Sequence, residues 1–189
     1  NSTWSELLFS QLGMEINYPV ANATRACIYV DWDNIKVSLL IIPKFISALK
    51  EFVHNRKMHS TYLIYIFIPF QTSQEIKNKL SECGVDIINL VKDKTFNSDA
   101  FMIQYIRRNT QALDTLCVVS GDRDFSPIMV EMVHNLHNVF LVYNVQAIYT
   151  FKNNKHWLKG IDIKSILTES GVNLPMGSSD RIKKLYETY

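Results

Sequence analysis

Three short stretches concentrate acids and amides: Asp31-Trp32-Asp33-Asn34, Asn97-Ser98-Asp99, and Ser120-Gly121-Asp122-Arg123-Asp124. Clustered carboxylates repel one another, and their charged forms grow costlier as water is excluded. A hard divalent cation reverses that sign, because Mg²⁺ and Mn²⁺ prefer oxygen ligands and keep several waters. One or two such ions can acidify water and steady the oxygens of an in-line phosphoryl displacement. No softer ligand set competes. Cys27, Cys83 and Cys117 show no CxxC spacing, and His54, His59, His134, His137 and His156 show no ligand spacing against the acids. The acids therefore point to phosphodiester chemistry.

For that chemistry the three stretches must meet. The apolar pattern predicts a short buried strand over 28–30 and a helix opened by Pro43 with Phe45, Ile46, Leu49, Phe52 and Val53 as its stripe. It then predicts a strand over 61–68 and a helix over 73–83 ended by Gly84. A strand over 85–91, a helix over 99–112 and a strand over 115–119 follow. Next come a helix carrying Phe125, Ile128, Met129, Met132, Val133 and Leu136, and a strand over 138–143. Strand and helix alternate throughout, which argues a three-layer α/β/α domain on a mostly parallel five-stranded sheet. In such a sheet ligands bind beyond the carboxyl ends of the strands. The three acidic stretches follow the first, third and fourth strands, so all reach that edge.

These residues resemble the motifs of NYN domains, a branch of the PIN-like metal-dependent ribonucleases. Tyr29-Val30-Asp31-Trp32-Asp33-Asn34-Ile35 is similar to the first motif, a strand ending in Asp with Asn three residues on. Asn97-Ser98-Asp99 resembles the middle motif, an Asp opening a helix. Ser120-Gly121-Asp122-Arg123-Asp124-Phe125 resembles the most specific one, which lies between a strand and a helix. The resemblance spans roughly 25–143. It implies RNA cleavage with Mg²⁺ or Mn²⁺ held by Asp31, Asp99, Asp122 and Asp124, with Asn34 and Ser120 in support; Asp33 itself reads as a solvated or supporting residue rather than a ligand. Three positions depart from the pattern. No acid follows Asp99 two turns on, where Tyr105 stands; Trp32 replaces a small residue; no glycine introduces the fifth strand.

Each acid also has a plainer reading. Asp31 could cap a turn, and Asp99 could answer a helix dipole behind an Asn97 or Ser98 cap. Asp124 is not needed as a cap if Ser126 caps the next helix with Pro127 at its first position. Single-stranded RNA would need cations and stacking surfaces near the acids, for which Trp32, Lys36, Lys94 and Arg123 adjoin the motifs.

Composition sets the outer bounds. The chain has 189 residues, 47% apolar and 20% charged, which suits one domain with extensions rather than disorder. We expect residues 1–24 to hold an amphipathic helix (3–12, with Trp4, Leu7, Leu8 and Leu12) and a linker, 25–145 the domain, and 146–189 a basic and aromatic extension with one short helix and a tail. A net charge of +2 excludes a histone-like charge carpet but allows a local basic patch. No apolar run reaches the roughly 20 residues of a membrane span. Three scattered cysteines favour reduced thiols and an intracellular setting. The apolar N-terminal helix or the C-terminal extension suits a protein partner or self-association. The rival reading is a catalytically weak PIN-like RNA-binding or scaffold subunit. A third, a haloacid-dehalogenase-like phosphatase with Asp31 as nucleophile, needs a lysine motif and another acid three or four residues after Asp122, yet beyond Asp124 the next acid is Glu131.

Overall fold

The computed structural model describes residues 24–91, 93, 95–135, 138–143, 159–162 and 165–167. Six strands form one sheet: β1 (Arg25–Asp31), β2 (Thr61–Pro69), β3 (Asp86–Leu90), β4 (Thr115–Val119), β5 (Asn138–Tyr143) and β6 (Lys159–Asp162). Among the described residues four helices alternate with the first five strands: α1 (Ile42–Arg56), α2 (Gln74–Glu82), α3 (Ser98–Asn109) and α4 (Ser126–His134). Every strand pair is parallel, in the order β3-β2-β1-β4-β5-β6. The chain builds outward from β1 to β3, crosses back to β4 on the other side of β1, and builds outward again. β1 and β4 thus flank the point where loops leave in opposite directions, and a crevice opens there.

The local signals act as their chemistry requires. Pro43 sits in the first turn of α1, and Ser73 caps α2 by accepting from the Ile76 N–H. Gly84 follows α2 at φ +74°, a left-handed position that a side chain would strain. Asn97 caps α3, its Oδ1 accepting from the Ala100 N–H at 3.1 Å. At α4 the expectation is off by one residue. Phe125 takes the cap position without a side-chain bond, Ser126 is already helical, and a 3-10 turn (Arg123–Phe125) leads in.

Alternation along β1 sorts the core into two layers. Ala26, Ile28 and Val30 face α1 and α2, with Phe45, Leu49 and Leu80. Cys27 and Tyr29 face α3 and α4, with Met102, Ile106, Ile128 and Met129. Cys27 and Cys117 are buried, Cys83 is half-buried, and all three are free thiols. Among the described residues no helix is long and apolar enough to cross a membrane.

The sheet has one strand more than expected. Lys159–Asp162 pairs with Phe140–Tyr143. Four residues carry too little alternation to announce a strand; the open edge of β5 supplies the hydrogen bonds that make it one. Beyond it residues 165–167 are helical, and Ile166 and Leu167 are buried in the layer of Ile28 and Phe140. Ordered packing therefore continues past residue 145. The helix expected over 3–12 and the tail lie outside the described residues.

Candidate metal centre

The parity of β1 aims its last residue. Asp31 shares a face with Cys27 and Tyr29, so it looks toward α3 and α4 rather than α1. On α3, Asp99 stands one and two turns ahead of Met102 and Ile106, the helix's buried residues, so it too turns toward the sheet. Asp122 follows β4, and buried Phe125 pins the 3-10 turn carrying Asp124. One carboxylate oxygen from each of Asp99, Asp122 and Asp124 lies within 4.8 Å of the others.

A hydrogen-bond chain binds the two central loops. The Ser120 hydroxyl donates to Asp31 Oδ2 at 2.9 Å and accepts from the Asp122 N–H at 3.1 Å. The Asp124 N–H donates to Asp122 Oδ1 at 2.9 Å. Asn34 Oδ1 accepts from the Gly121 N–H at 2.7 Å, and the turn presenting Asn34 is closed by the Asn34 and Ile35 N–H groups on the Asp31 carbonyl. Ser120 and Asn34 thus hold the third acidic stretch against the first.

Electrostatics match that crowding. Burial pushes the Asp31 carboxyl up to about 7; the Ser120 hydrogen bond opposes this, and Asp99, Asp122 and Asp33 add to it. Asp99 is raised to about 6 by burial, by the Asp122 charge, and by a carboxyl–carboxyl hydrogen bond with Asp124. A cleft of about 490 Å³ opens over these groups, and five carboxylates line it: Asp31, Asp33, Asp93, Asp99 and Asp122.

The donor set fits a hard cation. Every donor in the cluster is a carboxylate oxygen. Three such oxygens within 4.8 Å of one another could face a single divalent ion, with water completing its shell.

The NYN domain model matches residues 25–158, most of the chain and all three acidic stretches. The chain belongs to the NYN domain family. No curated protein matches it significantly. The parallel sheet of β1 to β5 and its flanking helices are the nuclease-type fold of this family, and Asp99, Asp122 and Asp124 gather at its switch point.

Within this NYN domain the expected residues separate. Asp99, Asp122 and Asp124 come together, while Asp31 lies beneath them, 7% exposed and tied to Ser120. Asp33 is exposed at the rim and pairs with Lys36 at 3.5 Å. Trp32 is a correction. It is fully buried and packs edge-to-face on Phe45, 6.5 Å between centroids, so it cannot stack on a base. The reason is parity: the residue after Asp31 falls on the α1 side. Lys94 lies outside the described residues, and of Arg123 only the backbone is described. Asp93, Phe96 and Gln71 line the cleft without having been singled out. Asp93 accepts from the Thr95 N–H and hydroxyl, which hold its carboxyl below the usual range. Asp93 and Phe96 follow β3 at the carboxyl edge, so the rule that found Asp99 reaches them too.

Proposed function

We propose that the chain is a metal-dependent endoribonuclease acting on single-stranded RNA. The observation that carries this reading is the convergence of Asp99, Asp122 and Asp124 above buried Asp31, at the switch point of an NYN domain. Asp99, Asp122 and Asp124 hold Mg²⁺ or Mn²⁺, with Asp31 as the inner carboxylate of the set. A divalent ion held there acidifies water and neutralises charge on the phosphate. Asp31 Oδ2 is committed to Ser120, which fixes the carboxylate and leaves its second oxygen for the cation or for a proton. Asn34 and Ser120 position the Gly121–Asp124 loop. A chain with five carboxylates lining its cleft repels RNA unless a cation intervenes, which is the electrostatic argument for metal dependence. The three free cysteines support a reducing, intracellular setting.

Cleavage of labelled single-stranded RNA in Mg²⁺ or Mn²⁺ tests the reading. Asp122→Asn and Asp99→Asn should each abolish cleavage and weaken Mn²⁺ binding in a calorimetric titration. Undiminished cleavage by either variant would refute the assignment. Intact RNA with every divalent ion, combined with no Mn²⁺ uptake at millimolar metal, would leave an RNA-binding scaffold instead.

A further inference from the structure

Along α3 lies a second groove, of about 300 Å³, walled by Phe101, Gln104, Tyr105, Arg108 and Asn109. Its chemistry is opposite to that of the acidic cleft. No carboxylate lines it. Arg108 is exposed and, among the described residues, joins no ion pair. Its neighbour Arg107 is instead held by Glu131 through hydrogen bonds of 2.9 and 3.2 Å.

Two phenylalanines join groove to cleft. Phe96 lines the cleft and Phe101 lines the groove, and their ring centroids are 5.6 Å apart. Each keeps 37% of its surface exposed. Phe101 is backed by Phe67 and Tyr105, at 6.4 and 6.3 Å, so its ring is held from behind while its outer side stays open.

We propose that Phe96, Phe101 and Arg108 form a subsite for a nucleotide flanking the scissile phosphate of single-stranded RNA. The reading of the acidic cleft sets only its register. A base stacks on the open side of the phenylalanine pair, and a neighbouring phosphate meets the Arg108 guanidinium. The arrangement solves a charge problem. The cleft tolerates a phosphate only with a cation present, whereas an uncharged base on Phe96 and a phosphate beyond the carboxylates need none. Gln104 offers an amide to a base edge, and continuity with the cleft favours RNA over a protein segment as occupant.

The test is the affinity of the full chain for a fluorescent RNA of about ten nucleotides, measured in chelator so that cleavage plays no part. Phe101→Ala should weaken binding roughly tenfold, while Phe101→Tyr keeps the ring and the affinity. Arg108→Gln changes an exposed side chain; it should weaken binding and lower the salt slope by about 0.7. If Phe101→Ala fails to fold, Arg108→Gln decides. Unchanged affinity and salt slope in Arg108→Gln, with Phe101→Ala folded and equally tight, would overturn the subsite even in an active nuclease, and would leave the groove to a protein. Conversely, RNA bound through this groove but never cleaved would sink the nuclease assignment and leave the subsite standing.

Discussion

Replacing Asp31 by Asn should stabilise the metal-free protein at neutral and higher pH while removing the proposed nuclease activity. Asp31 is 7% exposed, and its carboxyl is raised from 3.8 to about 7, chiefly by burial. Between those values the folded chain holds a proton that the unfolded chain has released. Stability therefore falls as pH rises from about 4 to about 7 and is flat above. A rise of about 3 in pKa, at 1.36 kcal/mol each, amounts to about 4 kcal/mol as an upper bound. The substituted amide would remove that cost, still accept from Ser120, and turn its NH₂ group toward the neighbouring carboxylates. Relaxation and water entry should leave roughly 1–3 kcal/mol, or about 2–4 °C in Tm per kcal/mol for a chain of this size. Urea denaturation in chelator, at about pH 4 and about pH 8, reads the difference. The variant should exceed the wild type at the higher pH and match it at the lower. Saturating Mn²⁺ should reverse the order, since metal at 100 times its Kd adds about 2.7 kcal/mol to a protein that binds it. A variant less stable than wild type at the higher pH, in chelator, would refute the account of Asp31 as a buried carboxylate crowded by anions.

Further outcomes rest on individual contacts. Asn34→Ala strips the acceptor from the buried Gly121 N–H; it should cost about 1–3 kcal/mol and weaken Mn²⁺ binding by loosening Asp122. Trp32→Ala should cost about 3–5 kcal/mol in denaturation, as for any fully buried aromatic. Trp32→Phe should leave RNA affinity unchanged, and a selective loss of affinity there would restore Trp32 as a base platform. At the amino end of the sheet, Asp114 accepts from Arg25 at 2.7 and 3.2 Å and from the Gln111 N–H at 2.8 Å. Burial opposes its charge, but these bonds hold its carboxyl below the usual range, so its contribution is present above about pH 4 and is lost as pH falls through the lower folded value. Asp114→Asn should therefore cost about 1.5–3 kcal/mol near neutrality and nothing in strong acid, with Mn²⁺ affinity intact.

The sequence alone determined the local elements and the set of acids. Short continuous apolar runs, period-3.6 apolar stripes, Pro43, Ser73, Gly84 and Asn97 specify strands and helices through contacts a few residues long. Strands β4 and β5 were legible to the residue for that reason. Three acidic stretches at strand ends were legible because every parallel strand delivers its carboxyl end to one edge. Strand order was not legible, since alternation says nothing about which strands lie side by side; only docking set β1 beside β4 and made Asp31 a neighbour of Ser120. Nor was the division of labour between adjacent residues. Asp31 ends a strand that is buried on both faces and Trp32 follows it, and packing decided which layer each would enter. The sixth strand and the Phe96–Phe101 pair belong with these, because an edge pairing and a contact between a loop and a helix arise only when the chain has closed on itself.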